Sequence, residues 1–271
     1  MSIVKLDLKG FDTFEKDFQN IVNSIQEETQ ENRVWLTGIG KLVESKVNAK
    51  VTVDDLNWFA KEIEGDTVLD FGTGSGNIAA LLSQMGYKVS ALDIDSYKEY
   101  EKSDYNKEMT EDQLKLWRKL EQRNNDLNLQ HYDDQIPFED NHFDAIVAYA
   151  VLEHVPENLM DNVMKELRRV LKPGGVLCIS RLPRTLSYTE FISRLLGVAA
   201  HDKLYTMKEI ITLFKKYKFD IADKSIIELV PAYPTKITNK LFPILRHLDG
   251  LLLITPLRYF AHHIRLIGKK I

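Results

Sequence analysis

Asp70, Gly72, Gly74 and Gly76 alternate in the run Asp-Phe-Gly-Thr-Gly-Ser-Gly, and a second acid, Asp93, follows about 20 residues on. Glycines at this spacing accept positive φ and let a ligand approach the backbone closely. An acid after the following strand can take both hydroxyls of a ribose. The dinucleotide pattern G-x-G-x-x-G presents a helix N-terminus to a pyrophosphate. Here a carboxylate stands two residues before the first glycine, where it would repel a pyrophosphate and suit an ammonium group. The chemistry indicated is recognition of a nucleoside that carries an ammonium and no phosphate. The elements that must position these groups are legible on either side. Val68-Leu69 opens a strand. Asn77 to Gly86 has helical apolar spacing (Ile78, Leu81, Leu82, Met85), with Gly86 suited to a C-cap. Lys88 to Leu92 is a second strand ending at Asp93. This is a βαβ unit.

The order acid, three alternating glycines, helix, strand, acid resembles the first motif of the class I S-adenosylmethionine (SAM)-dependent methyltransferases. Later stretches extend the resemblance in family order. Asp133-Asp134-Gln-Ile-Pro137-Phe, followed by Phe143-Asp144, is similar to the family's second landmark, displaced by about one position. Glu153-His154-Val155 resembles an element of the methyltransferase type 11 subfamily, and Leu171-Lys-Pro-Gly-Gly175 a turn common in this fold. The resemblance implies a Rossmann-like, doubly wound α/β domain with a seven-stranded sheet in the order 3-2-1-4-5-7-6. It implies SAM as methyl donor, S-adenosylhomocysteine as product, and no metal. Asp70 would hold the ammonium side, directly or through water, with Gly72, Thr73, Gly74 and Gly76 around the methionine. Asp93 and Ile94 would meet the ribose, Asp133 or Asp134 the adenine, and Ala150 the edge of the donor pocket. His154 is either a general base or a structural histidine.

Composition sets outer bounds. The chain has 271 residues, 44% hydrophobic and 28% charged, with a formal net charge of -4. That suits one large α/β domain with additions and offers no global basic field for nucleic acid. The single cysteine, Cys178, lies in an apolar run and excludes an intramolecular disulfide. No signal core and no apolar run of about 18 residues are present, so a cytoplasmic protein without a spanning helix is expected.

Residues 1–51 read as an N-terminal helical cap. A helix is expected over 11–33, a break at Thr37-Gly38-Ile39-Gly40, and a helix over 52–64 capped by Thr52. The methyltransferase domain is expected over 52–271. Arg33, Trp35 and Tyr97 are candidates to line the site. The charged stretch 96–123 reads as a helix with a solvated face and a narrow stripe at Leu114, Trp117 and Leu120.

Acceptor choice is expected in two insertions, 181–216 and 231–257. Arg184-Thr185, Ser187-Tyr188, His201-Asp202 and Thr206 to Glu209 occur in an order similar to quinone-biosynthesis O-methyltransferases. By that resemblance His201 would take a phenolic proton; otherwise it is a polar loop residue before a capped helix. The region 231–257 reads as a helical insertion before an antiparallel last strand. From Lys236 onward seven Lys and Arg face one acid, Asp249, a net of +6. Apolar residues interleave, so residues 236–258 are a candidate for peripheral membrane contact, for a lid, or for a dimer contact. His262 and His263, adjacent on a strand, would point to opposite faces.

The expected function is methyl transfer from SAM to a small acceptor, apolar or lipid-like, at a hydroxyl oxygen. A non-catalytic SAM-binding subunit and a macromolecular methyltransferase are the alternatives. The (N/D)PP(Y/F) motif of amino-methylating enzymes is absent after the fourth strand, where Ala148-Tyr-Ala-Val151 stands.

Overall fold

The computed structural model describes residues 3–29, 33–94, 104–133, 135–197, 201, 203–233 and 235–271. Three helices come first: α1 (Leu8–Thr29), α2 (Val34–Val43) and α3 (Lys46–Phe59). The sheet domain follows with β1 (Thr67–Phe71), α4 (Asn77–Gln84), β2 (Lys88–Ile94), α5 (Asp104–Glu121), β3 (Leu127–Tyr132), β4 (Phe143–Tyr149) and α6 (Glu157–Val170). Then come β5 (Leu171–Pro183), α7 (Tyr188–Leu195), α8 (Met207–Lys216), β6 (Phe219–Ile227), α9 (Thr235–Leu253), a 3-10 turn (Pro256–Phe260) and β7 (His263–Lys270).

The seven strands hydrogen-bond in the expected order, β3-β2-β1-β4-β5-β7-β6, and β7 alone runs antiparallel to its neighbours. Strand side chains alternate between two cores. Val68, Ala145, Val147, Val176 and Cys178 face a cluster built with α1 to α5. Leu69, Ile146, Ala148, Leu177 and Ile179 face one built with α6 and α8. The runs Ala145 to Ala148 and Val176 to Ile179 are apolar throughout because both faces are covered.

Two local expectations are corrected. Thr37 to Gly40 does not break the chain but lies inside α2. Tertiary contact outweighs the low helix propensity of glycine there: Gly40 sits against α1, and Gln19 Nε2 donates to its carbonyl at 2.7 Å. The third helix is capped by Ser45, whose hydroxyl accepts from the Asn48 N–H at 3.3 Å, and not by Thr52. Thr52 is instead buried in mid-helix, and α3 runs across residues 51 and 52, where the sequence places the cap boundary.

α3 is tied to the sheet by a polar face. Asn48, Thr52 and Asp55 lie three or four residues apart and meet Arg181, Tyr149 and Ser180. Ser180 Oγ donates to Asp55 Oδ2 at 2.5 Å, and Arg265 Nη1 to Asp55 Oδ1 at 2.9 Å. Arg181 donates to Asn48 Oδ1 at 3.0 Å and to Tyr149 OH at 3.1 Å, and it pairs with Glu228 at 3.2 Å. Burial raises the Asp55 pKa, and Arg265 opposes that shift.

Candidate active site

Register brings the functional positions to one edge. Phe71 pairs with Leu92, Tyr149 with Ser180, and Pro183 and Ile227 with His263. The carboxyl ends of β1, β2, β4, β5 and β6 therefore share an edge, which is where doubly wound sheets bind ligands.

The glycine loop leaves β1 at this edge. Gly72 has φ +74°, and a Cβ there would lie 2.6 Å from Val151 Cγ2. Gly76 has φ +78°, and its Cβ would lie 2.8 Å from Leu129. Both glycines are required by packing. Gly74 differs: at φ +53°, a Cβ would meet nothing within 4 Å, so its outer side is open. Beside it stands Asp93, which accepts the Gly74 N–H at 2.5 Å through Oδ2 and the Ile94 N–H at 2.8 Å through Oδ1. Burial raises the Asp93 pKa, while those two backbone bonds oppose the rise.

Asp70 is turned into the loop and buried. Its Oδ2 accepts from Thr73 Oγ1 at 2.6 Å. Burial pushes its pKa up to about 7; the Thr73 bond works against this and the nearby Asp93 charge adds to it. An ammonium close to the loop would favour the ionised form of both acids.

The loop is also held from outside, by Gln113 from the stretch expected to be solvated and by Trp117 from its narrow apolar stripe. Gln113 Nε2 and Trp117 Nε1 on α5 donate to the Gly74 carbonyl at 2.9 and 3.0 Å. His131 Nε2 is 2.8 Å from Gln113 Oε1. The only signal in the sequence was a buried-stripe spacing at Trp117. Arg33 pairs with Glu108 and Asp112 on the same helix, at 3.5 and 4.0 Å. Trp35 packs partly buried against the first core, and Tyr97 lies outside the described residues.

Asp133 follows β3 directly and is exposed, one residue beyond the Ile94–Tyr132 pair. Asp134 lies outside the described residues. The loop after Asp133 is pinned by Arg169, which donates to the Ile136 and Phe138 carbonyls at 2.9 and 2.8 Å. Ala150 directly follows β4 with φ +57° and donates its N–H to Ser180 O at 3.0 Å. Arg181 (φ +61°) and Glu228 (φ +66°) also hold left-handed backbone on this edge. Non-glycine residues in that region are strained and cluster at functional sites.

Next to Ala150 the structure assembles histidines that are distant in sequence. The His154 and His201 ring centroids are 6.2 Å apart, those of His201 and His262 6.3 Å, and those of His262 and His263 3.8 Å. The last value corrects the expectation of opposite faces: His262 precedes β7, so strand alternation does not govern it. His201 Nδ1 lies 2.7 Å from Oε1 of the buried Glu190, and its backbone N–H donates to Glu190 Oε2 at 3.1 Å. A carboxylate can only accept, so Nδ1–H donates and Nε2 is the ring nitrogen that Glu190 does not hold. The His154 side chain is 67% exposed, and burial lowers its pKa with help from His201. Glu153 beside it is buried, with neither carboxylate oxygen hydrogen-bonded to another residue and Oε1 4.0 Å from His154 Nε2, and burial pushes it up to about 7. Burial also lowers His262 to about 3. His263 bonds Glu228, which Arg181 and His263 together hold well below the usual carboxylate range despite its burial.

A reversed last strand and a glycine loop between two acids define a Rossmann-like nucleoside-binding domain of the methyltransferase type. Comparison with known proteins agrees. Residues 69–179 match the family described as Methyltransferase domain. A ubiquinone biosynthesis O-methyltransferase from Xanthomonas campestris pv. campestris is 28% identical over 149 residues, 51% of this chain and 55% of the relative. A sterol 24-C-methyltransferase from Gibberella zeae is 35% identical over 114 residues, 41% of this chain and 26% of the relative. The magnesium protoporphyrin IX methyltransferase of Synechocystis PCC 6803, solved with bound S-adenosylhomocysteine, superposes with TM-score 0.54 at 17% identity, covering 84% of this chain and 86% of that one. This chain carries, over residues 69–179, a methyltransferase domain of the class I SAM-dependent type. It spans about half the length of the ubiquinone-pathway relatives that it matches. SAM is the cofactor of that family, and the open side of Gly74 beside the Asp93 carboxylate fits it.

Proposed function

We propose that the protein methylates a small apolar acceptor, at a hydroxyl oxygen, with SAM as donor. The observation that carries this reading is the His201–Glu190 pair, held at the same sheet edge as Gly74 and Asp93. In this reading Asp93 and Ile94 hold the ribose, Asp133 or Asp134 the adenine, and the backbone of Gly72, Thr73 and Gly74 the methionine. Asp70 supports the ammonium through the loop or a water, since its own carboxylate faces Thr73. Bound SAM supplies an electrophilic methyl on a sulfonium. The chain's own work is alignment, exclusion of water and removal of one proton. His201 Nε2 takes the acceptor hydroxyl proton, while Glu190 Oε1 holds Nδ1–H and steadies the cation that forms. His154 and the strained Ala150 edge the donor pocket, and the insertions 181–216 and 231–257 shape the acceptor side.

The names of the quinone-pathway and sterol relatives support an apolar acceptor, as does the apolar surface of residues 236–258, which suits peripheral contact with a membrane. A test is incubation with methyl-labelled SAM and a panel of long-chain phenols, catechols and sterols. Label in the organic phase is expected with hydroxyl acceptors and should fall at least a hundredfold in His201→Ala. Glu190→Gln should move the pH profile of the rate. Transfer to a sterol carbon, with both variants fully active, would assign C-methylation. SAM binding with no transfer to any acceptor would favour a non-catalytic subunit.

A further inference from the structure

Helix α9 carries its apolar stripe on the outside. Ile237, Leu241, Ile244, Leu248, Leu251 and Ile254 recur at steps of three and four, one face of a helix, along α9 and just past its end. All six are exposed, from 38% at Leu248 to 81% at Ile254. In a helix closed as a lid that stripe would face the core. On α7 and at its C-cap, Phe191 (70%), Leu195 (74%) and Leu196 (69%) are equally bare. Contiguous exposure on this scale marks an interaction surface.

The two helices share one foundation. Tyr188 OH at the start of α7 donates to the Leu229 carbonyl at 2.7 Å. Asp249 on α9 accepts the Leu229 and Val230 N–H groups, each at 2.7 Å. Arg184, just before α7, donates to the Ala261 carbonyl after the 3-10 turn at 2.8 Å. Both stripes therefore rise from the carboxyl edge of the sheet, where the candidate active site lies.

The charge is one-sided. Arg194, Lys236, Lys240, Arg246 and Arg258 are exposed around the apolar residues, and among the described residues no carboxylate pairs with them. The acids of these two helices turn inward, Glu190 to His201 and Asp249 to backbone N–H groups. Outward charge here is positive in a chain whose formal net charge is -4.

We propose that α7, α9 and the 3-10 turn form a docking face for the surface of an anionic lipid bilayer. Apolar stripes flanked by bases are what interfacial helices present to headgroups. Among the described residues, no helix is long and apolar enough to cross a membrane. A second copy fits less well, because the same cations would then meet each other. The proposal extends the apolar-acceptor reading, since such an acceptor dissolves in the bilayer next to the site. Its test needs neither SAM nor turnover, so the two can fail separately.

The test is cosedimentation of the full chain with vesicles of phosphatidylcholine and phosphatidylglycerol, against phosphatidylcholine alone. Binding is expected with the anionic lipid and should weaken as salt rises. Each base near such a surface contributes about fivefold to partitioning, so Lys236→Gln with Lys240→Gln should weaken binding about 25-fold. Leu195→Asp with Ile244→Asp should abolish it. Both double variants should keep the wild-type circular dichroism spectrum and SAM affinity. No binding to anionic vesicles, or binding that both double variants retain, overturns the proposal. A concentration-dependent dimer that Ile244→Asp dissociates also overturns it, and assigns the face to a second copy.

Discussion

Asp93 offers the sharpest test of the donor site. Its two oxygens already accept the Gly74 and Ile94 N–H groups, at 2.5 and 2.8 Å. Each carboxylate oxygen has a further lone pair, and those are the acceptors available to two ribose hydroxyls. Asparagine in its place keeps one of those acceptors but not its charge, so losing the other bond, at about 1.5–3 kcal/mol net, and the charge on the first, at about 1–1.5 kcal/mol, weakens binding by about 2.5–4.5 kcal/mol if they add fully. Sharing with the backbone donors pulls this toward the lower figure, which is about 70-fold in Kd. Asp93→Asn keeps the size and one acceptor oxygen for Gly74, but its amide nitrogen cannot accept from Ile94. The fold should lose about 1 kcal/mol, a shift of about 2–4 °C in Tm for a domain of this size. Titration calorimetry with SAM and with S-adenosylhomocysteine is the assay. Both share the ribose, so both should weaken alike. A Kd within threefold of wild type in a folded Asp93→Asn protein refutes the ribose role. Loss of SAM affinity alone would show that Asp93 acts through its charge on the sulfonium.

Three further outcomes are expected. Asp70 and Glu153 have native pKa values of about 7, above their ordinary 3.8 and 4.5, so the native state binds more protons between those limits. Their contribution is therefore most favourable below the ordinary values and is lost as pH rises toward 7. Urea midpoints of the unliganded protein should fall over that window, and Glu153→Gln should flatten the fall by up to about 3 kcal/mol; an unchanged slope sinks the claim. Gly72→Ala should be destabilised by several kcal/mol, because strain at positive φ adds to a clash with Val151. Gly74→Ala should cost only about 1–2 kcal/mol of stability yet impair SAM binding, because its Cβ enters the open side; equal behaviour of the two variants in thermal melts would contradict that division. Gln113→Ala should lower SAM affinity several-fold by removing one of the two donors that hold the Gly74 carbonyl, and affinity equal to wild type would show that Gln113 does not position the loop.

Much of the donor half was legible because its information is local. A glycine needed for positive φ, an acid at a strand end and a continuous apolar run each follow from a few adjacent residues. The sheet order came through family resemblance rather than periodicity, and the pairings agree with it. Reading failed where a distant partner overrode local preference. Gly38 and Gly40 signalled a break, but packing on α1 keeps them helical. Thr52 looked like a cap, but Ser45 caps and Thr52 points at Tyr149. The charged stretch before β3 looked solvated, yet it supplies Gln113.

By itself, the sequence determined the βαβ unit from Thr67 to Asp93, the sites of glycine and acid within it, and the amphipathic character of residues 236–258. Only the tertiary structure decided which way that amphipathic stripe faces, since a periodic pattern is the same whether it meets core or water. Only the fold could bring Glu190 to His201, and His201 toward His154 and His262, from three separate segments. Those contacts arise because β4, β5 and β6 end at one edge and β7 begins there, a consequence of strand register that no local spacing encodes.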